Sequence, residues 1–277
     1  MKARKIVIFG PYKSGTTGLF YKIRNSLPGN VRTLCESTEY VPHDKDNNRW
    51  VLSKTITGVQ DGDGPWRIRY ETFMGFDSKI YLVRDPRDLI ISGILFIVQQ
   101  EPTLYDNDDK LIRILKILKE KETRPKSISV RELFEQIVEA SDNHTFDKAV
   151  DWLGRQYRWL MEFESQLDDY CLIRYEDFVD GRIEGLEDYL GMRLRGKAVV
   201  DPAHDHVPRT MGYNNWKNWF LKTDIDFFKP LFEEYILHYN YPTNWQLNDR
   251  QMISPEHCSK YIERTVKKKR NKKINLT

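Results

Sequence analysis

Three observations in this 277-residue chain predict a three-layer α/β/α fold with a central parallel sheet. Strand-like and helix-like stretches alternate along the sequence. Two short apolar runs, Ile6 to Phe9 and Ile80 to Val83, each break into a polar loop that opens a helix. Those two loops carry charged and hydroxyl side chains, and parallel sheets place their ligands at the carboxyl ends of strands.

The first run governs the rest. Ile6, Val7, Ile8 and Phe9 are β-branched, aliphatic or aromatic and read as a buried strand. Gly10, Pro11, Tyr12, Lys13, Ser14, Gly15, Thr16 and Thr17 form a turn, after which Leu19, Phe20, Ile23 and Leu27 fall at helical spacing. Such a loop turns unpaired N–H groups and the positive end of a helix dipole toward one point, which makes an anion site. Lys13 adds a full charge, and Ser14, Thr16 and Thr17 add hydroxyl donors. The nucleotide-triphosphatase pattern is not met. Gly10 and Gly15 keep its four-residue gap, but Thr16 stands where the lysine belongs. With the lysine moved upstream to Lys13, magnesium-dependent phosphoryl transfer loses its signature residue.

The segment PYKSGTTGLF resembles the PKSGTTW loop of sulfotransferases that use 3′-phosphoadenosine-5′-phosphosulfate (PAPS). A second segment, IYLVRDPRDLIISGILF at 80–96, resembles that family's R-[ND]-P-[RK]-D motif with a serine eight residues past its first arginine, here Arg84 and Ser92. The resemblance implies a P-loop NTPase-like sulfotransferase fold of the cytosolic or bacterial small-molecule type. It also implies PAPS as co-substrate, PAP as product and no required metal. Lys13, Ser14, Gly15, Thr16 and Thr17 are then expected around the 5′-phosphosulfate, with Arg84 and Ser92 on the 3′-phosphate. Tyr175, in Arg174-Tyr175-Glu176-Asp177, is expected to reach the adenine. Arg209 precedes Trp216 by seven residues, as the family's phosphate-binding arginine precedes its tryptophan.

The chain departs from the family in places that bear on chemistry. Cytosolic members read Lys-Thr-His at the end of a strand, the histidine acting as general base, whereas this chain reads Lys54-Thr55-Ile56. Lys54 keeps the expected role of stabilising the leaving group. A hydroxyl attacks poorly until its proton leaves. Other members use a glutamate about twenty residues after the loop lysine, and Glu36 lies 23 after Lys13. Glu36 is therefore the first candidate base, with Glu39 and His43 next, and N-sulfation stays open. Thr210 and Met211 replace a lysine and a glycine, and Gly18 stands where a tryptophan often stacks on adenine.

The remaining segments fill in the fold. A strand is expected near Val31 to Leu34 within a loop-rich stretch, and another from Arg49 to Thr55. A flexible connection spans Gly58 to Pro65, followed by a helix from Trp66 to Phe76. Leu111, Ile114, Leu115 and Leu118 mark an amphipathic helix over 104–122. Ser129 with Glu132 makes a capping box for the next. Helices are expected over Thr145 to Phe163, over Ile183 to Leu190 with Gly191 as its stop, and over Leu221 to Tyr239, with a strand at Tyr170 to Arg174.

Composition narrows the class. With 40% hydrophobic and 31% charged residues the chain is globular, and its length suits one large domain or two small ones. We expect a single domain over 1–263 and a basic, disordered tail over 264–277. That tail holds seven basic groups and no acidic ones, so 37 of the 44 basic residues remain against 41 acidic, and the body carries about −4. No secretory segment follows the N-terminus, and Leu89 to Val98 is too short to span a bilayer. Three scattered cysteines fit a reducing cytoplasm. His144 is expected to be a surface or capping residue, and His204 and His206 to line the site, with no third ligand at a spacing that supports a metal. The expected partner is a polar small-molecule acceptor rather than nucleic acid, and a homodimer is allowed. Two other readings remain: a P-loop-like kinase using ATP, and a noncatalytic nucleotide-binding protein.

Overall fold

Five apolar runs pair side by side into one parallel sheet, in the order β2-β3-β1-β4-β5. The strands are β1 (Lys5–Gly10), β2 (Val31–Cys35), β3 (Trp50–Ile56), β4 (Ser78–Val83) and β5 (Tyr170–Arg174). The structure is a computed structural model that describes residues 4–59, 67–142, 145–201 and 209–274. Its contacts sort the chain into two compact units, 1–84 with 158–207 and 85–157 with 208–277.

The first unit holds the sheet. β1 lies at its centre, with Ile8 opposite Lys54 of β3 on one side and Ile80 of β4 on the other. β1, β3 and β4 bury nearly every residue, as parallel strands covered on both faces do. Because side chains alternate across a strand, Ile6 and Ile8 face one way. They join Leu52, Ile80 and Leu82, together with Leu19, Phe20 and Ile23 of α1 (Thr16–Arg24), in one apolar cluster. Leu186 and Leu190 of α8 (Glu184–Leu190) enter the same cluster. On the opposite face Phe9 meets Phe163 with ring centroids 5.2 Å apart, and the Tyr81 hydroxyl donates to the Leu160 carbonyl at 2.9 Å. Helices therefore cover both faces, as expected. The strand order changes direction at β1 and β4, which makes their carboxyl ends the topological switch point.

The second unit is helical. It contains α2 (Pro86–Gln100), α3 (Pro102–Tyr105), α4 (Asp108–Thr123), α5 (Val130–Ala140) and the first part of α6 (Phe146–Glu164). Later come α9 (Trp216–Trp219), α10 (Lys222–His238) and α11 (Ser259–Ile274). The Ser129–Glu132 capping box forms at the start of α5, and Gly191 ends α8 in the left-handed conformation.

Two expectations are corrected here. The stretch before β4 forms only a 3-10 turn, Tyr70–Phe73, and buries Phe73 and Phe76. Trp66 lies outside the described residues, as do His144, His204 and His206. The basic run after Arg264 is helical as far as Ile274. Its stability comes from packing, since Thr265 and Val266 are buried. Arg270 donates to the Tyr105 carbonyl at 2.6 Å and to Asp108 at 2.8 Å, and Lys269 reaches Gln100. Charge density alone gave no sign of that apolar stripe. No described helix is long and apolar enough to cross a membrane.

Candidate active site

The loop between β1 and α1 is shaped by two close approaches. A Cβ on Gly10 would lie 2.7 Å from the Leu82 carbonyl oxygen, so only glycine lets β1 leave the sheet there. Ser14 then folds the loop back, its N–H and hydroxyl both donating to the Pro11 carbonyl at 3.2 and 2.8 Å. Lys13 takes φ 65° and Gly15 φ 98°, and Gly15 precedes α1 with no side-chain cap on the helix. Gly15 thus supplies no side-chain acceptor to the first N–H groups of α1, the arrangement that suits an anionic ligand. Ser14, Thr16 and Thr17 are buried around it.

Arg84 follows β4 and meets this loop directly. Its terminal nitrogen donates to the Lys13 carbonyl at 2.8 Å, and its guanidinium carbon lies 4.3 Å from the centroid of the Tyr175 ring. Tyr175 opens α7 (Tyr175–Val179) after β5, and its ring closes on Gly15, where an added Cβ would come within 2.4 Å of it. Lys13, Arg84 and Tyr175 are therefore gathered at the carboxyl ends of three adjacent strands. The adenine role expected for Tyr175 meets a ring that is 7% exposed and packed between the loop and Arg84.

Lys54 reaches the same place from β3. Its ammonium, fully buried, donates to the Thr17 hydroxyl at 2.9 Å and to a Glu36 carboxylate oxygen at 2.8 Å. Glu36 sits just past β2 with φ 59°, its N–H bonded to the Lys54 carbonyl at 2.8 Å. Its side chain keeps 55% of its surface open. Cys35 stands opposite Lys54 in the ladder, its thiol pushed up by partial burial despite the neighbouring ammonium. Ile56, which ends the Lys54-Thr55-Ile56 segment, is buried.

The other base candidates have structural partners. Glu39 pairs with Arg69 at 2.8 Å. His43 caps a 3-10 turn, Asp44–Asn48, its Nδ1 accepting the Lys45 N–H at 3.1 Å. The turn is centred on Asp46, whose carboxylate accepts from Arg32, Arg49, the Tyr40 hydroxyl and the His43 N–H. Burial would raise the Asp46 pKa, but Arg49, Tyr40, His43 and Arg32 bring it from 3.8 down to about 2. Because the folded value lies below the unfolded one, this stability is present above about pH 4 and is lost as pH falls toward 2. Asp46→Asn is expected to cost about 3 kcal/mol in denaturant unfolding at pH 7, and less at pH 3. An equal loss at both pH values would contradict this account.

Ser92 and Arg209 belong to the second unit. Ser92 is buried on α2, and Arg209 is buried with one terminal nitrogen donating to the His257 carbonyl at 3.0 Å. The rest of the second motif builds structure there. Asp85 caps α2 and holds Arg87 at 2.6 Å, while the Arg87 guanidinium lies 4.4 Å from the Trp216 ring centroid and 5.1 Å from that of Trp245. Asp88 accepts the N–H groups of Asn214 and Trp216. This tie joins two sequence motifs 128 residues apart, a contact the sequence did not announce.

Sequence reasoning also missed Phe178, whose ring would meet a Cβ on Gly18 at 3.3 Å. The signal was present as a small residue at 18 and an aromatic one three past Tyr175. Among the described residues no cluster of histidine, cysteine or carboxylate side chains could hold a metal ion.

No family model matches the chain, and no curated protein matches it. Among solved structures it is similar to mouse sulfotransferase SULT7A1 complexed with PAP, with 14% identity over 84% of each chain and a TM-score of 0.49. It is also similar to retinol dehydratase in a complex with retinol and PAP, with 12% identity over 88% of this chain and 84% of that one and a TM-score of 0.42.

Proposed function

We propose that the chain is a sulfotransferase that moves a sulfuryl group from PAPS to a hydroxyl or nitrogen of a polar small molecule. The observation that carries this reading is the Arg84–Lys13 junction at the ends of β4 and β1. A site for a nucleotide with phosphates at both its 5′ and 3′ positions needs two cationic groups within one nucleotide's reach, and the residues match the two motifs. The uncapped start of α1 supports a 5′-phosphate at the loop.

PAPS supplies a sulfuryl group carried on a phosphate leaving group. Lys13 and the N–H groups at 15–17 stabilise the charge that develops on that phosphate. Lys54, held by the Thr17 hydroxyl, adds a second cation beside the loop. Glu36, oriented by Lys54, takes the acceptor's proton in place of the missing histidine. Arg84 secures the 3′-phosphate, with Ser92 and Arg209 assigned to it on motif spacing alone. Two lysines and an arginine take the part that a magnesium ion plays in phosphoryl transfer. The acceptor is assigned as polar because the charged residues Glu36, Asp44 and Lys45 are exposed in the segment that follows β2.

Melting temperatures with PAP, AMP, and ATP with magnesium test the assignment. PAP at 1,000 times its dissociation constant stabilises by about 4 kcal/mol, a rise of roughly 8–16 °C for a protein of this size. AMP is expected to give little, because it lacks the 3′-phosphate that Arg84 recognises. A larger rise with ATP and magnesium than with PAP would favour a kinase, and no rise with any of them would remove a nucleotide site altogether.

A further inference from the structure

α7 is too short to be stable alone, since one turn forms a single hydrogen bond for several ordered residues. Ionic contacts hold it. The Asp177 carboxylate accepts from Arg174 Nε at 2.8 Å and from Arg182 Nε and a terminal nitrogen at 3.0 and 2.7 Å. The Asp177 carbonyl accepts the Arg182 N–H at 2.9 Å, closing the turn after the helix. Partial burial opposes ionisation of Asp177, yet Arg174 and Arg182 keep its carboxyl below the usual range. Arg182 also holds Asp180 on the outer side.

This helix presents two rings to the loop and to the first turn of α1. Tyr175 packs on Gly15 and Phe178 on Gly18, both at distances that leave no room for a Cβ without displacement. Arg84 lies over the Tyr175 ring and bonds the Lys13 carbonyl. Shifting α7 by a fraction of an ångström would therefore move the loop and Arg84 together.

On the reading that this loop binds a phosphate, we infer that Asp177 is a positioning residue for it, pinning α7 so that Tyr175 seats Gly15 and supports Arg84. Asp177 acts through the tyrosine ring. Ligand affinity then depends on preorganisation by a side chain outside the site.

The test compares Asp177→Asn with Asp180→Asn, which removes an outer contact of Arg182 and leaves Asp177 in place. Calorimetry with PAP should give a dissociation constant about tenfold weaker for Asp177→Asn and within about twofold of the parent for Asp180→Asn. Amide hydrogen exchange on the ligand-free proteins should be faster over 11–18 in Asp177→Asn, with β1, β3 and β4 unchanged. Arg182→Gln, an exposed change that opens the same clamp, should reproduce both effects and covers the case in which Asp177→Asn does not fold. Asp177→Glu should recover part of the affinity. Equal PAP affinity and equal loop exchange in the Asp177 and Asp180 variants would overturn the inference. If the parent does not bind PAP, the sulfotransferase reading fails, and the exchange data alone still decide whether Asp177 positions the loop.

Discussion

Lys13→Ala is expected to lower turnover about 100- to 1,000-fold, the usual cost of losing one preorganised charge donor at a developing anion. The melting temperature should change by no more than about 2 °C, because a half-buried side chain outside the core contributes little to folding. The Lys13 carbonyl accepts from Arg84, and that bond survives the substitution. Alanine is the informative replacement. Lysine at φ 65° already bears the left-handed strain that any β-carbon brings, so alanine leaves the backbone term unchanged whereas glycine would relieve it. PAP binding should weaken less than turnover falls, since the α1 N–H groups and Arg84 remain. Sulfate transfer measured across a panel of alcohols, sugars and amines, in parallel with PAP affinity, separates the two effects. Near-parental transfer would take Lys13 out of the chemistry.

Much of this geometry was legible because each motif sits at one strand-to-helix junction. The β1 loop, the arginine after β4 and the tyrosine after β5 are local patterns, and a parallel sheet brings the ends of neighbouring strands together whatever lies between them. What the chain concealed was pairing across long separations. Glu36 and Lys54 were both candidates, but nothing along the 18 positions that separate them says that they share a bond with each other, or that Thr17 completes it. His43 showed the reverse case. A histidine near a candidate site looks catalytic in one dimension, yet it caps the turn around Asp46. The Arg-Asp-Pro-Arg-Asp motif assigned only Arg84 to the ligand and left its other charged residues without a role, whereas Asp85, Arg87 and Asp88 are occupied with α2 and the Trp216 region. Arg84 bonds the loop through the Lys13 carbonyl.

The left-handed positions carry the second large effect. Gly15→Ala is expected to cost about 3 kcal/mol and to depress the melting temperature by roughly 6–12 °C. Two separate penalties add. A β-carbon at φ 98° is strained by about 1 kcal/mol whatever surrounds it. The same carbon would stand 2.4 Å from the Tyr175 ring, which cannot retreat because Arg84 lies over it and α7 is clamped behind it. The ring's share is separable by a double-mutant cycle. With Tyr175→Ala as the background the steric part disappears, and Gly15→Ala should then cost only the backbone term of about 1 kcal/mol. The coupling between the two sites is therefore expected to be near 2 kcal/mol, well above the few tenths found for residues that do not touch. Urea unfolding of the four proteins measures it. Additive losses would mean that the tyrosine ring is not what confines the loop, and Arg84 would have to be held by something other than the stack seen here.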